Sequence, residues 1–210
     1  MRKDYARTLI VLLLAFSFIY VIWSYANSTT GRVQMLLVLG QETSRVDDVK
    51  AIADQLVLNI KEPVAVGDDS WRSVEDAYYW VVAHVAYRPD DNTVVTVLGE
   101  RWVLLENERF KSPAETLRDG AGDCEDMAIL LTCLLEAGGA KNVRTVVGVY
   151  RTGTEQHGHA WTEILTSTGW QILDPTTKWV NTKNAESYHG VAWFNSGGFG
   201  WLEGRRERVA

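Results

Sequence analysis

Apolar and polar positions change rhythm twice along this chain and divide it into three stretches. From Leu9 to Trp23, extendable from Ala6 to Ala26, nearly every residue is apolar. A run of that length crosses a bilayer as one helix. Arg2, Lys3 and Arg7 precede it against a single acid, Asp4, which keeps the N-terminus inside and the rest of the chain outside the cytoplasm. Ser24-Tyr25-Ala26 also suits a signal peptidase, so a cleaved leader is the alternative. Residues 1–26 are read as a cytoplasmic stub and transmembrane anchor, 27–43 as a linker, and 44–210 as the working domain. Val33 to Leu39 is a second apolar run, too short to span, that fits a strand or a packed helix equally.

The middle stretch repeats at helical spacing. Val46, Val49, Ile52, Leu56 and Ile60 predict an amphipathic helix opened by Ser44 and ended by Pro63. Val74, Ala77, Tyr78, Val81, Val82 and Val85 predict a second, capped by Ser70 or Ser73 and ended by Pro89. Thr93–Leu98 and Trp102–Leu105 read as strands around Gly99. Ser112-Pro113-Ala114-Glu115 is a capping box with proline at the first helical position. Past Gly120-Ala121-Gly122-Asp123, Cys124 enters a helix that is apolar nearly all round and ends at Gly138-Gly139, the mark of a buried central helix.

After Gly139 the period falls to two. Val143–Tyr150, His159–Leu165 and Trp170–Leu173 read as strands, the last two joined through Thr166-Ser167-Thr168-Gly169. Val191–Phe194 and Phe199–Leu202 flank Ser196-Gly197-Gly198 as a further hairpin. Helices followed by a run of strands predict an α+β domain, with an antiparallel sheet packed on the central helix.

Composition narrows the function. The net charge of −6, with no basic run beyond Arg205-Arg206, argues against nucleic acid as a partner. The two cysteines, Cys124 and Cys133, would lie roughly 13 Å apart along one helix. A disulfide needs Cα atoms within about 7 Å. Cys133 therefore reads as core, and Cys124 taken alone reads as a structural cysteine too, so a chemical role for it depends on its partners. A thiol in the first turn of a helix sits at the positive end of the dipole, which favours thiolate.

His159 and Asp174 are the candidate partners. Strand alternation puts His157, His159, Trp161 and Glu163 on one face, and Trp170, Ile172 and Asp174 on one face of the next strand. If the hairpin loop has two or four residues, Asp174 falls opposite Trp161 and diagonal to His159, within side-chain reach. A slip of one residue would part them. The expected triad has Cys124 as nucleophile, His159 as base and Asp174 as its orienter. Trp161 would shield the His–Asp contact, and the Cys124 backbone N–H could serve as an oxyanion donor. A zinc site from Cys124, His157, His159 and Asp174 is a competing arrangement, but its spacing fits no common structural pattern.

Ser112-Pro113-Ala114-Glu115-Thr116-Leu117, Gly122-Asp123-Cys124-Glu125-Asp126-Met127-Ala128, Gly158-His159-Ala160-Trp161 and Leu173-Asp174-Pro175-Thr176 occur in that order. This ordered set, over core residues 112–177, resembles the transglutaminase-like superfamily of papain-type thiol enzymes, and within it the bacterial and archaeal cysteine proteinases. The resemblance implies a papain-like fold and the same three catalytic residues. It implies an enzyme acting on peptide or isopeptide amides through a thioester, with protein or peptide substrates. A crosslinking protein-glutamine acyltransferase and an inactive binding module are the alternatives within the family. Relatives supply a second oxyanion donor from an upstream Gln or Trp; here Trp102, Asn107 and Lys111 are the candidates. The triad requires no metal. Asp123, Glu125 and Asp126 crowd the thiol, however, and hard oxygen ligands suit calcium, which some related periplasmic proteases hold in this way.

Overall fold

The computed structural model describes residues 17, 20, 24, 29–89, 94–98, 102–106, 109–180 and 184–202. The chain forms two units, Met1–Leu36 and Leu37–Ala210. Among the described residues no helix is long and apolar enough to cross a membrane. The stretch expected to span, Ala6 to Ala26, lies outside them but for single positions.

Helix α1 (Thr29–Thr43) takes in most of the segment expected as a linker. The Thr43 and Ser44 hydroxyls donate to the carbonyls of Leu39 and Gly40, which otherwise end a helix unsatisfied. Ser44 therefore closes this helix instead of opening the next. A 3-10 turn (Val46–Val49) leads into α2 (Lys50–Gln55). The expected run to Pro63 stops early because Val57 turns to a positive φ of 56° and Ile60 leaves to donate to the Gly138 carbonyl at 2.8 Å.

Helix α3 (Asp69–His84) is capped by Asp68, whose carboxylate accepts from the Trp71 N–H at 2.7 Å. The expected caps do other work. Ser70 and Ser73 accept from the backbone of Lys61 and Asn59 and dock the preceding segment on the helix. The chain then gives β1 (Ala86–Tyr87), the antiparallel pair β2 (Val94–Leu98) and β3 (Trp102–Glu106), and α4 (Pro113–Asp119) with its capping box. A short strand, β4 (Ala121–Gly122), pairs parallel with β1 and enters α5 (Cys124–Ala137).

Five strands complete the domain: β5 (Val143–Thr152), β6 (Glu155–Thr166), β7 (Gly169–Leu173), β8 (Tyr188–Asn195) and β9 (Gly198–Trp201). They form one antiparallel sheet in the order β7-β6-β5-β8-β9. Helix α5 packs on its centre. Ile129, Leu130, Leu131, Leu134 and Leu135 are fully buried, each contributing roughly 1.5–3 kcal/mol. Polar bonds fix the helix on the sheet: Thr132 meets the hydroxyls of Thr145 and Thr162, and Thr162 donates to the Ala128 carbonyl at 3.0 Å. The α+β arrangement expected from the order of periods is the one observed.

Candidate active site

The first turn of α5 is held from two sides. Gly120 ends α4 in the left-handed region, φ 59°. Its carbonyl accepts from the Ala86 N–H at 3.0 Å, and the Gly122 carbonyl from the Arg88 N–H at 2.8 Å. The loop is thereby stitched to β1 before Asp123 turns it into the helix. A Cβ on Gly122 would lie 2.5 Å from that of Asp126, so glycine is what lets the Asp126 carboxylate fold beneath the loop. Asp126 is fully buried and accepts from the backbone and ammonium of Lys111 at 2.8 and 2.7 Å. Burial pushes its pKa up and Lys111 pulls it back, leaving it at about 6. Cys124 is half-buried, and its thiol donates to Glu125 at 3.3 Å.

Strands β6 and β7 pair with Thr162 opposite Leu173, the register that brings the next residue, Asp174, diagonal to His159. His159 Nε2–H donates to Asp174 Oδ2 at 2.8 Å. Nδ1 is then the free face of the ring, and the Cys124 side chain is the ring's other polar neighbour. Burial works against an imidazolium here. The hydrogen bond and charge of Asp174, with Cys124, outweigh it and raise His159 to about 10. Burial likewise opposes the Asp174 charge, but His159, Thr176 and Tyr188 overcome it and hold the carboxyl below its ordinary range. The pair is built to keep a proton on the imidazole.

Trp161 is fully buried beside His159, with ring centres 6.2 Å apart and planes inclined by 29°. Its Nε1–H donates to Glu163, which is paired to Arg144 at 2.6 Å. Gly148 leaves room for the indole; a Cβ there would sit 2.9 Å from it.

The structure thus gathers Cys124, His159, Asp174 and Trp161. Lys111, one of three candidate oxyanion donors, directs its ammonium to Asp126. Trp102 begins β3, but its side chain, like all of Asn107, lies outside the described residues. His157 is exposed beside Glu155, so the four zinc ligands are not assembled. Among the described residues the group arranged to hold a metal is Asp123, Glu125 and Asp126, buried and with ligand atoms within 4.8 Å of one another.

Three residues escaped the sequence reading. Tyr87, paired with Gly122, carries a half-exposed phenol. Burial, then the negative charge of Cys124, Asp123, Glu125 and Asp174, raises that phenol to about 12. Tyr188 donates to Asp174 at 2.7 Å from a strand far along the chain, and no spacing marks it. Thr176 was legible. An Asp followed two residues later by a hydrogen-bonding Thr is a common turn, and Thr176 gives Asp174 Oδ1 two donors, its N–H at 3.0 Å and its hydroxyl at 2.7 Å.

The family description matching residues 50–175 is the transglutaminase-like superfamily. Solved structures of Legionella pneumophila LapG share the fold. The calcium-bound form is 23% identical over 76% of this chain and 81% of that one, with a TM-score of 0.51. The EGTA-treated form is 22% identical over 78% and 88%, with a TM-score of 0.54. Among curated proteins, none matches the sequence.

Proposed function

The chain belongs to the transglutaminase-like superfamily, and from that premise we propose that it is a thiol peptidase or amidase cleaving peptide or isopeptide amides in protein substrates. The observation that carries the reading is His159, set between the part-buried Cys124 and a buried carboxylate 2.8 Å from its Nε2. His159 Nδ1 takes the thiol proton, and the sulfur attacks the amide carbonyl. The oxyanion is met by the Cys124 N–H at the helix start and, in our assignment, by the Tyr87 phenol, which interacts electrostatically with Cys124 and keeps its proton. The imidazolium then protonates the leaving amine. A thioester remains on Cys124, and a water deprotonated by His159 releases the acid. A lysine amine in place of water would give a crosslink. The part-buried Cys124, with His159 beside it, supports an enzyme over an inactive binding module.

Asp123, Glu125 and Asp126 form a donor set that fits Ca²⁺: hard, buried oxygens close to one another. Bound there, the ion would neutralise carboxylates beside the nucleophile and stiffen the loop that carries it. The calcium-bound LapG structure on the same fold supports this reading. The N-terminal apolar stretch supports a single-pass anchor with the domain outside the cytoplasm.

Iodoacetamide labelling across pH tests the triad. The native Cys124 thiol should react near neutral pH far faster than a peptide thiol, and His159→Ala should lose that excess. Labelling no faster than a free thiol would refute the proposal. Mass spectrometry of a peptide mixture after incubation separates hydrolysis from crosslinking.

A further inference from the structure

The carboxylate of Asp174 is held on every side. Thr176 supplies two donors to Oδ1, and Tyr78 donates to the backbone carbonyl at 2.7 Å. Oδ2 receives His159 Nε2–H at 2.8 Å and the Tyr188 hydroxyl at 2.7 Å. Tyr188 opens β8, which is separated from the His159 strand by β5. On β5 between them stands Gly148, paired with both His159 and Gly190, where a Cβ would lie 2.9 Å from the Trp161 ring. The Tyr188 ring packs edge-on against Trp161 at 5.1 Å and Tyr150 at 4.8 Å, and lies 6.0 Å from His159. Packing fixes the ring, and the ring aims the hydroxyl.

We infer that Tyr188 is a positioning residue of the triad: its phenol shares the Asp174 oxygen that holds His159, fixing the carboxylate and moderating its grip on the imidazolium. The inference rests on the triad reading above. An oxygen with one donor binds an imidazolium more tightly than one with two. Too tight a grip slows the proton's onward transfer to the leaving amine. The other groups around the pair are Tyr78 from α3, Tyr87 from β1, Tyr150 from β5 and Cys124 from α5. Tyr78 and Tyr87 hold their protons to about 12, so neither changes charge while His159 titrates.

The test is ¹⁵N-histidine NMR of the full chain, with the His159 signals assigned through His159→Gln. The native protein should show a low-field Nε2–H and a raised titration midpoint. Their absence would sink the triad itself. Tyr188→Phe keeps the ring contacts and removes only the hydroxyl. It should move the His159 midpoint up by about half to one pH unit and shift the Nε2–H further downfield. In an Asp174→Asn background the same change should move nothing. Tyr188→Gln, which keeps a donor, should fall nearer the native midpoint than Tyr188→Phe and serves where the Phe variant fails to fold. A native spectrum as expected, with the midpoint unmoved in Tyr188→Phe or the two variants in reverse order, overturns the role of Tyr188 and leaves the triad standing. A lower melting temperature with an unmoved midpoint marks Tyr188 as structural and also overturns the inference.

Discussion

The strand half of the site and the helix half are held by opposite means. On the sheet, His159 lies among Trp161, Tyr150 and Tyr188, and each oxygen of Asp174 meets two donors. At the start of α5, three carboxylates crowd one thiol, with Lys111 on Asp126. The strand half joins one buried charged pair, His159 and Asp174, to neutral donors and packed rings that fix its geometry. The helix half gathers three charges of one sign, which a proton or a cation can change. Such a division lets one half be tuned without disturbing the other.

The largest break comes from removing the reacting atoms. Cys124→Ala should abolish peptide cleavage, a loss of at least about 10³-fold, with the melting temperature kept. Asp174→Asn should cost about 10²- to 10⁴-fold in kcat, because the amide holds the wrong tautomer of His159. Native rates in either variant would remove the triad from the account.

Tyr87→Phe comes next. Losing one oxyanion donor should lower kcat about 10²-fold with KM little changed. A rise in KM alone would make Tyr87 a substrate contact only.

Calcium should act on the helix half alone. At a hundredfold excess over its dissociation constant it should add about 2.7 kcal/mol of stability, read as a higher melting temperature that EGTA reverses. Asp126→Asn should blunt that response, while the His159 NMR signals stay in place. Identical melts with Ca²⁺ and EGTA would remove calcium from this site.

The smallest effect is the dependence of stability on pH, to which groups of both halves contribute. His159 is raised from 6.5 to about 10, so its contribution is complete below 6.5 and fades as pH rises through about 10. Asp174 is lowered from 3.8, so its contribution stands above 3.8 and is lost as pH falls through its folded value. Asp126 is raised to about 6, so it costs stability as pH climbs from 3.8 past about 6. Melting temperatures across pH, with and without calcium, should show a loss between about pH 4 and 6 that the ion removes. A loss of equal size in both series would separate Asp126 from any metal.

Much of this arrangement was legible in the chain. The α5 helix, the Ser112 capping box and the β6–β7 register follow from local rules, since the side-chain period of a strand and the demands of a cap are properties of neighbouring residues. The errors came where a distant group competed. Ser70 and Ser73 satisfy every local criterion for a cap, yet they bind the segment around Asn59 and Lys61, and Asp68 caps instead. Lys111 was upstream of the thiol, as an oxyanion donor should be, but a buried carboxylate fifteen residues on claimed its ammonium.

By itself the sequence determined which residues could do chemistry and that His159 and Asp174 would share a face in one hairpin register, because both facts turn on periodicity and side-chain type; the structure supplied the register. Only the tertiary structure decided that Tyr87 and Tyr188 face the same site. They arrive on β1 and β8, whose placement depends on how whole elements pack, and packing energy is spread over many small contacts that leave no spacing to read.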